Sequence, residues 1–277
     1  MDSMFFVPIG EEVPEDEEKG SKKDITQTLL KPESRFKFYC HKGLSCFNKC
    51  CMDTTMLLTP YDIIRMKNAL KIPSEEFLAK YTTTLIKEDG GFPAIVLKMR
   101  DDENKSCPFV TQEGCSIYQD RPWSCRSYPL QPQSSKDTDR LGKEFYSIMK
   151  WPFCLGFDED KEWTVEEWKE DQGLNNYNEV DALFKEITLD ENLTKEEILN
   201  EDIQKMFHMV CYDIDRFKEF VFESKFLKIF DVEQEIIEKI KKDDVELLKL
   251  GFKWLKFGLI DRNALKIRAE ILEAKKK

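Results

Sequence analysis

Apolar residues recur every three or four positions through much of the last third of the chain. The longest of these stripes follows Thr194-x-x-Glu197, a capping box in which the two side chains satisfy backbone amides at a helix start. Its members are Leu199, Ile203, Met206, Val210, Ile214, Phe217 and Val221. Because residues at this spacing share one face of a helix, the stripe predicts one helix of up to about eight turns.

A second helix is predicted where Asp244, a good capping residue, precedes two neighbouring apolar ridges. The ridges consist of Val245, Leu248, Phe252, Leu255 and Leu259, and of Leu247, Leu250, Trp254 and Phe257. So broad an apolar face has to be covered. The pattern leaves three candidates for its cover: the cysteine-rich region upstream, the long helix, or another subunit.

Shorter elements are predicted upstream of these helices. Thr59 caps a helix that has Pro60 at its first position, and another short helix follows Pro73-Ser74. Residues 94–99 have the composition of a strand, and residues 144–149 are its predicted partner. Between residues 105 and 132 no helical period is sustained, which indicates loops and short turns.

Charge and hydropathy exclude several classes of partner. The formal net charge is -11 and the pI is about 5.0, whereas nucleic-acid binding depends on clustered Lys and Arg. No run of about 18 apolar residues predicts a membrane span, and the N-terminus lacks the basic region of a secretory signal. We therefore expect a cytoplasmic protein with neither a nucleic-acid nor a membrane partner.

Cysteine is the residue type that points to chemistry. Eight of the nine cysteines lie in one region and are Cys40, Cys46, Cys50, Cys51, Cys107, Cys115, Cys125 and Cys154. Structural disulfides are rare in the cytosol, so clustered thiols there indicate metal binding or redox work. Four thiolates can hold one zinc ion or one iron–sulfur cluster, and the eight residues can form two such sites, or one site plus other cysteines. The adjacent pair Cys50 and Cys51 can face two centres, or one centre and the core.

The spacing of the cysteines argues against three common motifs. Cys46-x-x-x-Cys50 would begin a radical-SAM triad, but Asp53 stands where the third cysteine would be. The ferredoxin run of C-x-x-C-x-x-C is absent from the sequence, and so is the thioredoxin-type C-x-x-C pair. A simple dithiol oxidoreductase is therefore not favoured.

The order of the cysteine motifs carries a family resemblance. A group ending in Cys50-Cys51 is followed by Cys107-Pro108-Phe109, by Gly114-Cys115-Ser116-Ile117-Tyr118, and by Arg121-Pro122-x-x-Cys125-Arg126-x-Tyr128-Pro129. This order resembles the YkgJ-type cysteine-cluster family, which is described as zinc- or iron-chelating, over residues 40 to 155. The upstream part, Cys40-x5-Cys46-x3-Cys50-Cys51, departs from the tighter spacing associated with that family.

The resemblance implies metal binding by the eight cysteines from Cys40 to Cys154. We expect a cysteine-ligated iron–sulfur or zinc centre, and favour iron, as a 4Fe–4S cluster, because the thiols outnumber one structural zinc site and are dispersed. The alternative is an iron–sulfur-dependent redox or group-transfer enzyme, by analogy to flagellin lysine methylase, although no glycine-rich methyltransferase loop follows a strand. A thiol-based redox sensor is a third class.

Other polar residues near the cysteines are weaker candidates. His41 is a candidate nitrogen ligand or proton carrier. Arg121 and Arg126 flank Cys125, where they can tune a thiolate, bind a substrate anion or pair with a carboxylate such as Asp120. Cys211 lies apart from the other cysteines, beside the apolar stripe, and is expected to pack in the core.

Together these patterns predict a mainly α fold with irregular loops and a small β element. Residues 1–33 are predicted to form an acidic flexible N-terminal arm, residues 34–160 a cysteine-cluster metal-binding domain, and residues 161–277 a helical C-terminal region. The metal ion or cluster is the expected small partner. The C-terminal helices offer a surface for a protein partner or for self-association.

Overall fold

The structure, a computed structural model, describes residues 29–85, 91–133 and 145–274. Most of the predicted N-terminal arm and the C-terminal lysines lie outside these residues. The described chain forms two compact units, which alternate along the sequence. The cysteine unit contains residues 29–56, 99–118, 123–133 and 145–175, and the helical unit contains residues 57–85, 91–98, 119–122 and 176–274.

The predicted mainly α fold is confirmed in the described part of the chain. The helices are α1 Pro60–Leu70, α2 Ser74–Tyr81, α3 Trp123–Ser127, α4 Val165–Asp171, α5 Leu174–Thr188, α6 Lys195–Leu199, α7 Glu201–Cys211, α8 Ile214–Glu223, α9 Phe226–Ile229, α10 Gln234–Ile240, α11 Asp244–Leu259 and α12 Ala269–Ala274. The strands are short and are β1 Arg35–Lys37, β2 Leu57–Leu58, β3 Thr82–Leu85, β4 Ala94–Leu97, β5 Val110–Thr111, β6 Gly114–Cys115, β7 Leu130–Gln133, β8 Phe145–Ile148 and β9 Glu162–Thr164.

The cysteine unit is held together by an antiparallel pair of strands that are far apart in sequence. In this pair Phe36 of β1 lies opposite Trp163 of β9. An aromatic core packs beneath it, in which the ring of Phe38 makes an edge contact with Trp168 of α4 at a centroid distance of 5.5 Å. The core residues are Phe36, Phe38, Leu130, Tyr146, Val165, Trp168 and Leu174. A capping box at Thr164 starts α4.

Two short antiparallel pairs complete the strands of this unit. Strands β5 and β6 form a tight hairpin that sets Cys115 opposite Val110, and β7 pairs with β8. The predicted partnership between residues 94–99 and 144–149 is therefore wrong. In the helical unit β4 pairs with β2 and β3 instead. Strands β4 and β8 thus each pair with strands that are closer in sequence than the predicted partner, so less chain entropy is lost on closing the intervening loop.

The helical unit begins with two of the predicted helices. At α1, Thr59 accepts a hydrogen bond from the Asp62 amide and Asp62 accepts one from the Thr59 amide, which completes a capping box. Helix α2 starts at Ser74, as predicted. Both helices contribute fully buried side chains to the core, of which Phe77 is the largest.

The single long helix predicted after Thr194 is wrong, because the chain forms α6, α7 and α8 in its place. The side chain of Asn200 accepts hydrogen bonds from two following amides and thereby starts α7. A second break falls at Asp213, whose carboxylate accepts a hydrogen bond from the Ser74 hydroxyl at 2.6 Å. The apolar spacing continues across both breaks because the separate helices pack on the same core, although they do not form one continuous helix.

The helix predicted after Asp244 is confirmed as α11, but its cap is Asp243, so the prediction of Asp244 as the capping residue is wrong. Its apolar face is covered inside the helical unit by α7, α8 and α5. Gly251 lies against Val210 of α7, and the ring of Phe252 lies 6.0 Å from that of Phe184 in α5. Of the three candidates that the sequence left open, the apolar face is therefore covered by the segment that was predicted to be one long helix.

A buried lysine links three elements of the helical unit. The side chain of Lys67 in α1 is 6% exposed and forms ion pairs with Asp215 of α8 at 3.3 Å and with Asp244 of α11 at 3.0 Å. Asp215 also accepts a hydrogen bond from the Ser74 amide at 2.7 Å. Such a pair depends on good geometry to offset desolvation, so Lys67 fixes how α1, α8 and α11 pack.

No helix in the part of the chain that the structure describes is long and apolar enough to cross a lipid bilayer.

Candidate metal centre

All eight cysteines of the predicted ligand set lie in the cysteine unit. They come from four stretches of chain: residues 40–51, residues 107–115, helix α3 and the turn after β8. None of the nine cysteines of the chain, all of which the structure describes, forms a disulfide. Cys211 belongs to α7 in the helical unit, is 2% exposed and packs in the core, as predicted.

Consecutive turns arrange the first four cysteines. The Lys49 amide donates to the Cys46 carbonyl, and residues Lys49–Cys51 form one turn of 3-10 helix. Asn48 enters this turn with a left-handed backbone, at a φ of 69°. Residues of a 3-10 helix are about 120° apart around its axis, so Cys50 and Cys51 point in different directions.

The two adjacent thiols nevertheless contact each other. Their sulfur atoms lie 4.0 Å apart. A hydrogen bond from Cys51 lowers the pKa of Cys50 to about 7, because it stabilises the Cys50 thiolate. The same bond, together with burial, raises the pKa of Cys51. Cys50 is exposed, whereas Cys51 is partly buried.

Cys51 lies among thiols from two other stretches of the chain. The amide of Cys107 donates to the Cys51 carbonyl at 2.8 Å. Negative charge on Cys125 and Cys107 adds to the rise in the pKa of Cys51. Burial raises the pKa of Cys107, and negative charge on Cys115 raises it further. The thiol of Cys125 also contacts the buried Met56 thioether, with the two sulfur atoms 4.0 Å apart.

Cys154 and Cys46 lie beside the short turn Leu155–Phe157. The Leu155 amide donates to the Cys46 sulfur at 3.3 Å. In the same turn the carbonyl of Gly156 accepts a hydrogen bond from the Tyr39 amide at 2.9 Å, next to Cys40. A Cβ atom at Gly156 would lie 2.8 Å from the Phe38 ring, so only glycine permits this close approach.

Tyr128 interacts with Cys154. Burial, followed by hydrogen bonding to Cys154 and by the charges of Cys154 and Cys50, raises the pKa of Tyr128. The Trp151 amide donates to the same hydroxyl at 3.5 Å. The ring of Tyr128 lies against that of Phe38. Its hydrogen bond to a predicted ligand is a contact that spacing alone could not indicate.

The nitrogen atoms of His41 have partners other than a thiol. Nδ1 accepts a hydrogen bond from the Gly43 amide at 3.1 Å, and Nε2 lies 3.5 Å from a carboxylate oxygen of Glu159. The ring also lies against Tyr39. These contacts fit a residue that fixes the local turn.

The two candidate arginines are both buried but lie in different units. Arg126 of the cysteine unit donates to the carbonyl of Gln172 at 2.7 Å. In the helical unit Asp120 forms an ion pair with Arg65 at 2.5 Å, and the Arg121 carbonyl accepts a hydrogen bond from Tyr177. Arg126 thus ties the turn after α4 to the helix that carries Cys125.

The donor chemistry of the cysteine unit suits zinc or iron. Eight thiols, most of them partly buried, occupy one compact unit, and thiolate sulfur is the ligand that zinc sites and iron–sulfur clusters share. In residues 29–85, 91–133 and 145–274 no three His, Cys, Asp or Glu side chains are arranged around a single point as ligands of one ion.

Comparison with known proteins supports the same chemistry. Residues 39–154 match the family model CxxCxxCC, whose description is "Putative zinc- or iron-chelating domain". The match confirms the recognition made from the cysteine motifs, and it spans all eight cysteines of the predicted set. No curated protein and no solved structure is significantly similar to the chain.

Proposed function

We propose that this protein binds metal through the thiolates of its cysteine unit, as an iron–sulfur or a zinc centre. One observation carries the proposal: eight cysteines that are distant in sequence are gathered in one compact unit, and none of them is in a disulfide. Cysteines that only pack in a core are not expected to cluster in this way. The description of the matched family also names zinc or iron chelation.

The proposed ligands are the eight cysteines from Cys40 to Cys154. When bound, the metal supplies a cross-link between the four stretches of chain that carry the thiols, and its binding energy becomes folding energy of the cysteine unit. The residues around the thiols would orient them. The Leu155 amide donates to the Cys46 sulfur and the Tyr128 hydroxyl to Cys154, and hydrogen bonds of this kind orient the ligands of metal sites.

Iron is the preferred metal. The thiols outnumber the four ligands of one structural zinc site, and iron–sulfur clusters of the 4Fe–4S type take four dispersed cysteines each. Hydrogen bonds to sulfur from Leu155 and Tyr128 are also among the features that set the reduction potential of such clusters.

The test is anaerobic purification followed by measurement of iron, zinc, acid-labile sulfide and the visible spectrum. We expect iron and sulfide in equal amounts, with the charge-transfer absorption of a cluster. Zinc without sulfide would overturn the preference for iron and leave the metal-binding proposal standing. Protein that contains neither metal, and takes up neither on reconstitution, would overturn the proposal itself.

A variant pair tests the ligand assignment. Cys107→Ala should lose metal, whereas Cys211→Ala, the matched control in the helical unit, should keep the full metal content. Removal of metal by a chelator should also abolish the cooperative unfolding of the cysteine unit. A chelated sample that keeps its full cooperative melt would contradict a structural role for the metal.

A further inference from the structure

Two of the cysteines are neighbours both in the sequence and in space. Cys50 and Cys51 lie in the single 3-10 turn Lys49–Cys51, and their sulfur atoms are 4.0 Å apart. Cys50 is exposed, whereas Cys51 is partly buried. A dissolved oxidant can therefore reach Cys50, and a second thiol is in contact with the sulfur atom that it would oxidise.

The local backbone permits a disulfide between these two thiols. The sulfur atoms have to approach from 4.0 Å to about 2.05 Å. Two backbone hydrogen bonds close the turn, from the Cys51 amide to the Asn48 carbonyl at 3.0 Å and from the Met52 amide to the Lys49 carbonyl at 3.2 Å. Asn48 before the turn is left-handed and Met52 after it is extended, so the turn can adjust without disturbing a longer helix.

We infer that Cys50 and Cys51 form a reversible disulfide when the protein meets hydrogen peroxide. The thiolate of the exposed Cys50 attacks one peroxide oxygen, which breaks the O–O bond and leaves a sulfenic acid on Cys50. The Cys51 sulfur then displaces hydroxide from the Cys50 sulfur, and the S–S bond forms. In total the two sulfur atoms lose two electrons, the peroxide gains them, and the two thiol protons leave in two molecules of water.

The ring that this disulfide closes is strained. Adjacent Cα atoms are about 3.8 Å apart, whereas the Cα atoms of ordinary disulfides are about 4.4 to 6.8 Å apart. Strained disulfides are reduced more readily than relaxed ones, so a dithiol reductant should restore both thiols. The pair is therefore suited to a reversible change and not to a permanent cross-link.

Oxidation of the pair should also release metal, a consequence that rests on the proposed function. Both cysteines belong to the proposed ligand set, and a metal ligand has to be a thiolate. A disulfide between Cys50 and Cys51 removes two of these thiolates at once. The metal bound per chain should therefore fall as the disulfide forms, and reduction should allow metal to bind again.

Tryptic digestion isolates this pair from the other cysteines. Trypsin cuts after Lys49 and after Arg65, and the peptide of residues 50–65 contains Cys50 and Cys51 but no further cysteine. Purified protein is treated with equimolar hydrogen peroxide, alkylated with iodoacetamide in denaturant, digested and analysed by mass spectrometry. The peptide should be lighter by two hydrogen atoms and carry no alkyl group, and prior treatment with dithiothreitol should restore both alkylation sites.

Three variants assign the roles of the two thiols. In Cys51→Ser the sulfenic acid on Cys50 lacks its adjacent thiol, so it should persist and be captured by dimedone. In Cys50→Ser the peptide should give neither a disulfide nor a dimedone adduct. Cys211→Ala, the control in the helical unit, should form the disulfide as the wild-type protein does. Circular dichroism establishes whether each variant is folded.

The wild-type protein alone can overturn the inference. It fails if the peptide keeps both thiols after peroxide treatment, or if a disulfide joins this peptide to another one. Protein that contains no metal and takes up neither zinc nor iron would overturn the proposed function, while the peptide would still decide whether the disulfide forms. Formation of the disulfide without loss of bound metal would contradict the assignment of Cys50 and Cys51 as ligands.

Discussion

The packing of the helical unit can be tested by adding one methyl group at Gly251. It lies within α11, where an ideal Cβ would lie 2.5 Å from Cγ1 of Val210 and 2.9 Å from Cε1 of Phe217. Carbon atoms in contact are normally about 3.5 to 4.0 Å apart, so the Gly251→Ala methyl has to displace Val210 by about 1 Å. Both neighbours are fully buried and have no open space to enter.

Two effects oppose each other in this variant. Alanine in place of glycine favours a helix by about 0.5 to 1 kcal/mol. Overpacking a close-packed core costs about 1 to 3 kcal/mol, and the 2.5 Å approach places Gly251→Ala near the upper end. We therefore expect a net loss of about 2 kcal/mol in the free energy of unfolding.

Urea unfolding followed by circular dichroism at 222 nm measures this loss. With a slope of about 2 kcal/mol per molar urea, the midpoint of the helical unit should fall by about 1 M. Gly258→Ala is the matched control in the same helix, because its Cβ would meet only the mobile end of Met206 at 3.7 Å. The control should be as stable as wild type or slightly more stable.

A compensating change sharpens the same test. Val210→Ala removes the atom that the new methyl would strike, at the cost of a small cavity. The double variant of Gly251→Ala and Val210→Ala should therefore be more stable than the sum of the two single losses implies. The packing of α11 on α7 and α8 would be refuted if Gly251→Ala unfolds at the same urea concentration as Gly258→Ala.

Three further predictions concern single residues. Lys67→Met should lower the free energy of unfolding by about 3 to 5 kcal/mol, measured in urea, since it leaves Asp244 partly buried without its closest cation. Thr164→Ala should destabilise the protein by about 1 kcal/mol in thermal unfolding, through loss of a helix cap. Hydrogen bonds from the Thr164 backbone amide, and secondarily from its side chain, lower the pKa of Glu167 below its usual 4.5, so their contribution to stability is present near neutral pH and is lost as the pH falls through the lowered pKa. Alanine keeps the backbone amide, so unfolding curves of the variant should lose only the side-chain part of this dependence on acid. Cys211 should resist iodoacetamide in the native protein and react only after unfolding, because burial shields it and raises its pKa; rapid labelling without unfolding would contradict its place in the core.

Local signals predicted the starts of helices well. The predicted cap at Thr59 and the predicted capping box at Thr194 are both present, because each depends on hydrogen bonds between residues three positions apart. The continuity of a helix was not predictable in the same way. Apolar spacing carries over from α7 to α8 although Asp213, between them, bonds to Ser74, a partner 139 residues away.

Strand pairing was less accessible from the sequence than strand composition. The strand character of residues 94–97 was identifiable from their apolar and β-branched composition, but composition does not specify the partner strands, which are β2 and β3. For the candidate site, the motifs identified the cysteine-cluster family. The contacts of Tyr128 and Leu155 with cysteine sulfur arise only from tertiary folding, and no spacing rule encodes them.

The pairing of β1 with β9 encloses every cysteine of the proposed centre in one loop of the chain. Arg35 of β1 and Glu162 of β9, whose side chains form an ion pair, are 127 residues apart in sequence. Closing a flexible loop of that length costs about 4 kcal/mol in chain entropy. A metal bound by thiols from both ends of the loop would shorten the flexible segment whose ends β1 and β9 must bring together. The paired strands would in turn bring the thiols closer together and so reduce the chain entropy lost on binding metal. The strand pair and the metal centre should therefore stabilise each other. A substitution that weakens the pairing of β1 with β9 should lower the affinity for metal although every cysteine is still present.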